Sequence, residues 1–162
     1  METKVTSIQT MASKGICQIV EMPKGEGAKP TIASEVLDFY GRLATVTPSG
    51  DLSLGFCVFR KRPLEVEELE RHMDSQELLF AVDDDFLIMA ALNDMATGTP
   101  DLNSLTVARV RRSSGVIFHP GVWHGVPFPF KEESFALVGF GTHTTDSDMH
   151  FHTFPERIRI VI

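Results

Sequence analysis

Residues 64–92 read LEVEELERHMDSQELLFAVDDDFLIMAAL. Three runs rich in aliphatic residues follow one another here, separated by Met73-Asp74-Ser75 and Asp83-Asp84-Asp85. Short apolar runs bounded by turn formers predict strands at Leu64 to His72, Gln76 to Val82 and Phe86 to Leu92, joined by tight reversals.

The same punctuation continues on both sides. Upstream, Arg42 to Thr47 and Leu52 to Arg60 flank Pro48-Ser49-Gly50. Downstream, Thr106 to Arg111, Val116 to His119, His124 to Phe130, Phe135 to Thr142 and Arg157 to Ile162 read as further strands, with Ser113-Ser114-Gly115 and Pro120-Gly121 as turns. About ten short strands with little helix must close or double up to protect their edges, so the pattern predicts an all-β barrel or jelly roll. Parallel α/β crossovers would need helices that are lacking. One short N-terminal helix is predicted over Thr31 to Phe39, where Ile32, Val36, Leu37 and Phe39 lie at near-helical spacing behind Thr31 as a cap. Pro23 to Pro30 is a loop. A single domain over 1–162 is expected, with 1–40 as an N-terminal lead and 41–162 as the barrel.

A chain of 162 residues can bury roughly 70% of its unfolded surface, enough for a core without staples. With 15 Lys plus Arg against 22 Asp plus Glu, its formal charge of −7 repels phosphate backbones and anionic lipid, so neither nucleic acid nor membrane is an expected partner. Two basic clusters, Arg60-Lys61-Arg62 and Arg109 with Arg111-Arg112, run against that average and are read as solvated strand ends or as anchors for a small anion. Cys17 and Cys57 have no metal or redox spacing and read as buried free thiols. METKVTSIQT lacks the apolar core of a secretory signal, and Phe86 to Leu92 is too short to span a bilayer, so a cytoplasmic location is expected.

Two constellations carry candidate chemistry. In Glu70-Arg71-His72, residues two apart share a strand face, so Glu70 and His72 point one way and Arg71 the other. After the reversal, Gln76 can come alongside them. In His119-Pro120-Gly121-Val122-Trp123-His124, Pro-Gly forms a tight bend and His124 joins Val126 and Phe128 on one face. Two imidazoles, a carboxylate and an amide oxygen suit Ni²⁺, Mn²⁺, Fe²⁺ or Zn²⁺. The alternatives are hydrogen-bonded structural histidines and a solvated Glu70 and Gln76. His150 and His152 share a face beside Phe151 and read as solvent-facing or as a metal pair. His143, among threonines, reads as a loop-end group or as an acid-base group at the barrel mouth. No GxSxG, GxGxxG, Walker or HExxH pattern occurs.

Glu68-Leu69-Glu70-Arg71-His72 with Gln76, Pro100-Asp101-Leu102, and Val122-Trp123-His124 after Gly115 resemble, in order and spacing, the ureidoglycolate lyase family over about residues 63 to 142. The resemblance implies a cupin-like double-stranded β-helix or jelly-roll barrel and a homodimer. It further implies a carbon-nitrogen lyase that releases urea and glyoxylate in purine (allantoin) nitrogen recovery, some members with a divalent metal. Carried over, the motif positions fall on Glu70, His72, Gln76 and His124. His72, His124 and Gln76 would be metal ligands, with Ni²⁺ or Mn²⁺ foremost, and Glu70 would be a general base or a fourth ligand. Arg109 or Arg111 would hold the substrate carboxylate, Trp123 and Phe128 would wall the barrel, and His143 would stand at its mouth.

Two departures bear on the substrate. Gly139 and Phe140 stand where relatives carry an acidic-basic pair, and Gly125 follows His124 where many have a second histidine. A barrel enzyme acting on another small hydroxy or keto acid, and a non-catalytic small-molecule-binding barrel, are the two alternatives.

Overall fold

The run Phe86–Ala91 is buried at every residue in the computed structural model of the chain, which describes residues 1–24 and 27–162. In chain order the strands are β1 (Glu2–Thr6), β2 (Cys17–Glu21), β3 (Ile32–Ala33), β4 (Asp38–Phe39), β5 (Leu52–Arg60), β6 (Glu65–Arg71), β7 (Glu77–Ala81), β8 (Phe86–Ala91), β9 (Thr106–Val110), β10 (Ser114–Phe118), β11 (Trp123–His124), β12 (Phe128–Pro129), β13 (Glu133–Gly141) and β14 (His150–Val161). Two short helices, α1 (Ile8–Ser13) and α2 (Thr144–Ser147), complete the described elements.

One sheet runs β11-β6-β14-β1-β9-β8-β12, and β11 also pairs with β8, closing it into a ring. The second runs β2-β10-β7-β13-β5. Side chains alternate along β8 between two cores. Phe86, Ile88 and Ala90 enter the layer between the sheets, where they meet Leu79, Val116, Phe118 and Val138. Leu87, Met89 and Ala91 enter the ring, with Leu69, Val107, Trp123 and Ile158. A strand covered on both faces reads as a continuous apolar run, which is why 86–92 stands out in the sequence. The architecture is an all-β closed barrel with a short helix near its start.

That helix lies elsewhere than predicted. Thr31 to Phe39 forms the β3–β4 hairpin, and Val36 is 95% exposed. The Ser34 hydroxyl accepts from the Val36 and Leu37 amides, and the Thr31 amide donates to Phe39. A local side-chain turn thus competes successfully with helical spacing that has no core to face. The helix α1 instead starts at Ser7, whose hydroxyl accepts from the Thr10 amide, and buries Met11.

The N-terminal residues are also more than a lead. β1 lies between β14 and β9, and β2 pairs with β10, so both sheets draw on them. Arg42 to Thr47 is not a strand; His124 to Phe130 is broken into β11 and β12; and the last strand begins at His150, with its register shifted between Thr153 and Ile158 around Pro155.

Phe86 is fully buried and meets Phe59 edge-on at 5.5 Å. Phe86→Ala is expected to destabilise the fold by about 3–5 kcal/mol, read from urea denaturation; a loss near zero would place this core elsewhere.

Candidate active site

The site grows from three strand segments that the barrel brings together. On β6, Glu70 points into the layer between the sheets, and His72 follows on the same face just past the strand end. β11 pairs antiparallel with β6, setting His124 opposite Glu70. The chain reverses after His72, where the Met73 and Asp74 amides donate to the two carboxylate oxygens of Asp148 at 2.7 and 2.9 Å. β7 then starts at Glu77, whose side chain turns inward with Leu79 and Ala81.

These placements converge on one oxygen. Glu77 Oε2 lies 2.8 Å from His72 Nε2 and 2.9 Å from His124 Nε2. The other nitrogen of each ring faces a backbone carbonyl: His72 Nδ1 is 2.9 Å from the Asp148 oxygen and His124 Nδ1 is 3.1 Å from the Val122 oxygen. A carbonyl only accepts, so each Nδ1 carries a proton and donates it, and each Nε2 is turned toward the shared centre. Phe118 stacks on His124 with ring centroids 4.7 Å apart. Behind the site, the Arg71 guanidinium sits 4.3 Å from the Trp123 ring centroid, and Asn93 Oδ1 accepts from both Arg71 and Trp123. That clamp braces β6 against β11.

The two carboxylates are set apart by their surroundings. Burial alone would raise Glu77, but the charge and hydrogen bonds of His124 and His72 outweigh it and hold the carboxyl down at about 2. Glu70 makes no side-chain hydrogen bond among the described residues; burial pushes its pKa up, against the pull of His124, which lies 3.9 Å away. Burial opposes charge on both imidazoles too, yet Glu77 raises His72 and His124 above their ordinary value. Glu70, His72 and His124 offer ligand atoms within 4.8 Å of one another and can hold a metal ion. The donors fit one when the Nε2 protons leave: both Nδ1 atoms are tethered by carbonyls, the arrangement that presents Nε2 as a ligand, and the Glu70 carboxylate adds an oxygen.

A cavity of about 290 Å³ opens beside these groups. Gly55, Cys57, Leu79, Val138, Phe140 and Met149 form much of its wall, and no lysine or arginine lines it among the described residues. Burial and the nearby Glu77 and Glu70 charges push the Cys57 thiol up, and burial takes Cys17 to about 12, so neither is a nucleophile.

Other residues singled out from the sequence lie away from this cavity. Gln76 Oε1 accepts from the Thr47 amide at 2.6 Å and its Nε2 lies 3.4 Å from His119, on the opposite face from Glu77. Gln76 therefore joins neither the imidazoles nor the cavity wall, and a metal-ligand role for it is set aside. Arg109 pairs with Asp85 and is exposed, as is Arg111. Trp123 and Phe128 pack in the core inside the ring. His143 is exposed beside Asp146, His150 is exposed beside Asp148, and His152 meets Trp123 and Phe154 edge-on. The sequence reading missed Glu77 and Asp148. Glu77 stands next to Gln76 in the sequence, and the opposite parity along the return strand selects it.

The fold and the centre define a barrel protein whose two histidines and two carboxylates meet at the mouth of an apolar cavity. A sequence model of the family described as ureidoglycolate lyase matches residues 32–161, and the chain belongs to that family, one of lyase enzymes. Among solved structures, RmlC from Streptococcus suis in complex with dTDP-D-xylose is 13% identical with a TM-score of 0.37, the match covering 55% of this chain and 43% of that one, less than half its length. A dTDP sugar isomerase from Desulfovibrio desulfuricans G20 is 13% identical with a TM-score of 0.46, covering 86% and 83%. Neither likeness bears on the chemistry of the site. No curated protein matches the sequence. No helix among the described residues is long and apolar enough to cross a membrane.

A pH signature follows for the metal-free protein. Histidines raised above 6.5 contribute fully below that value and lose the contribution as pH climbs through their folded pKa; Glu77, lowered from 4.5 to about 2, contributes above 4.5 and loses it as pH falls toward 2. Glu77→Gln is expected to cost about 3–5 kcal/mol, the range for breaking a buried pair. In calorimetry its melting-temperature gap from wild type should be widest between pH 4.5 and 6.5 and narrow on either side. A gap independent of pH would show that the cluster is not charged.

Proposed function

We propose that this chain is a ureidoglycolate lyase that splits its substrate into urea and glyoxylate at the centre built from Glu70, His72, Glu77 and His124. Family membership supports the reaction class. The single observation that carries the residue assignment is the division of the two carboxylates, one locked between imidazoles and one 3.9 Å from His124, without a hydrogen bond among the described residues and with its pKa raised by burial. Two carboxyl groups driven apart by their environments are the usual basis for separate roles in proton chemistry.

Ureidoglycolate is an α-hydroxy acid whose hydroxyl and urea nitrogen share one carbon. Glu70, partly open to the cavity, takes the hydroxyl proton as the carbonyl of glyoxylate forms, the C–N electron pair moves to nitrogen, and Glu70 returns the proton to the leaving nitrogen. Glu77 keeps both imidazoles in position through a single oxygen. His72 and His124, once their Nε2 protons are lost, would hold a divalent ion, with Ni²⁺ or Mn²⁺ foremost, and Glu70 would stay free as the base. When bound, such an ion would lower the pKa of the substrate hydroxyl by Lewis acidity. Two free cysteines accord with a reducing cytoplasm, and purine nitrogen recovery is the setting that family membership suggests.

The test is glyoxylate and urea release by metal-stripped protein, alone and with Ni²⁺ or Mn²⁺. Release that returns with the ion is expected. Glu70→Gln should then lower kcat by about 100-fold or more, and His124→Ala should abolish the response to metal. No release under any metal would sink the ureidoglycolate reading and leave another acid substrate or a binding barrel.

A homodimer is part of the same proposal. The outer face of β5 exposes Leu52, Leu54, Phe56 and Val58 at 48–67%, at the free edge of its sheet. An apolar row of this kind calls for a partner surface. Leu54→Asp is expected to shift the sedimenting species from dimer to monomer; a monomeric wild type would overturn this part.

A further inference from the structure

A ureido group carries several N–H donors and one carbonyl, and each that is buried without a partner costs about 1–3 kcal/mol. The cavity offers little to meet them. Among the described residues, its side-chain polar groups away from the Glu70, His72, Glu77 and His124 cluster are the Thr145 hydroxyl and the Cys57 thiol, a weak donor, and its other side chains are hydrocarbon, aromatic ring and thioether. Phe140 on β13 stands in this wall with its ring centroid 6.3 Å from that of His72. Its neighbour Gly139 faces the opposite side of the sheet, where an added Cβ would meet Leu54 at 3.1 Å and Leu52 at 3.5 Å. The pocket side of this strand is therefore Val138 and Phe140, with no hydrogen-bonding group. Room is also larger than ureidoglycolate needs: about 290 Å³ is roughly ten waters' share of liquid volume, at about 30 Å³ each.

We propose that the substrate range of the site centres on carbinolamide acids whose acyl group is apolar, N-acyl-2-hydroxyglycines with an aliphatic or aromatic acyl substituent, turned over more efficiently than ureidoglycolate. This rests on the lyase reading, because the reacting atoms are the same. The acid has a hydroxyl, a carboxylate and an amide nitrogen on one carbon. The hydroxyl proton leaves, the C–N bond breaks with its electron pair going to nitrogen, the carbonyl of glyoxylate forms, and the nitrogen takes a proton to give the primary amide. Nothing is oxidised or reduced. The difference lies only beyond the amide carbonyl, where ureidoglycolate presents an NH₂ and the proposed substrates present a hydrocarbon group to Val138, Phe140 and Met149. Burying an aromatic ring there gains on the order of 25 cal/mol for each Å² removed from water, and leaves no donor unpaired.

Gly55 supplies the control. It lines the cavity, its φ is not positive, and a Cβ built on it meets nothing within 4 Å, so a side chain there enters the cavity without clashing at its root. The experiment measures kcat/KM for N-benzoyl-2-hydroxyglycine, N-acetyl-2-hydroxyglycine and ureidoglycolate by glyoxylate release, with the metal-supplemented wild type and with Gly55→Leu. The expected order in the wild type is benzoyl, then acetyl, then ureido, with at least a tenfold span. Gly55→Leu should cut the benzoyl-to-acetyl ratio at least tenfold, a change that a general loss of folded protein cannot produce. Turnover of ureidoglycolate with none of the benzoyl compound would overturn this inference and leave the lyase reading intact. Turnover of none of the three would overturn both, and a benzoyl-to-acetyl ratio unmoved by Gly55→Leu would show that the acyl group does not enter this cavity.

Discussion

A single carboxylate oxygen, Glu77 Oε2, sits buried between the Nε2 atoms of two histidines, and the surrounding structure is arranged to keep it there. An isolated charge in such a place would be costly, and the cost is offset only if both imidazoles arrive at hydrogen-bonding distance together. Those imidazoles come from the end of β6 and from β11, while Glu77 starts β7 in the other sheet. Ring closure at β11, the Asp148 carboxylate on the turn after His72, and the Arg71, Trp123 and Asn93 clamp behind the strands each remove a freedom that would break the contact. The Asp148 backbone oxygen also orients His72, so one residue ties both the turn and the ring it presents.

In the proposed reaction, the contact between Glu77 and the histidines leaves Glu70 free for proton transfer. With Glu77 holding both rings, Glu70 is the carboxyl left without a hydrogen-bonding side chain, partly exposed at the cavity and raised in pKa by burial. The proposed reaction then divides proton transfer and anchoring between two residues seven apart in sequence. The cavity they face is apolar at its far wall and lacks a lysine or arginine among the described residues. A substrate carboxylate would thus be held at the polar centre, while the group on the other side of the scissile bond meets hydrocarbon. Arg62, the member of the first basic cluster that is only half exposed, is spent on the Val126 and Pro127 carbonyls and on the face of Phe128.

The barrel itself was legible because its strands are short, apolar and separated by turn residues, and because β8 needs hydrocarbon on both faces. Glu70, His72 and His124 were legible for a related reason: the alternation along a strand and the Pro120-Gly121 bend, where Gly121 has a φ of +79°, limit where these side chains can point. The N-terminal part was harder to read. Thr31 to Phe39 has helical spacing, but the Ser34 turn is stronger than a helix with no apolar surface to cover. β1 and β2 are ordinary short segments whose identity as strands comes from the partners beside them.

The sequence by itself determined the all-β architecture and the shared inward face of Glu70, His72 and His124, since turn chemistry and a period of two are local properties of the chain. Only the tertiary structure decided between Gln76 and Glu77. The segment Leu78-Leu79-Phe80-Ala81 is apolar at every position, so its pattern does not say which parity faces inward, and a shift of one residue turns every side chain to the other face. Pairing of β7 with β10 and β13 settles that choice, putting Glu77 inside and Gln76 against Thr47. Asp148 lies 76 residues from the histidine it orients, a separation that no local rule can bridge.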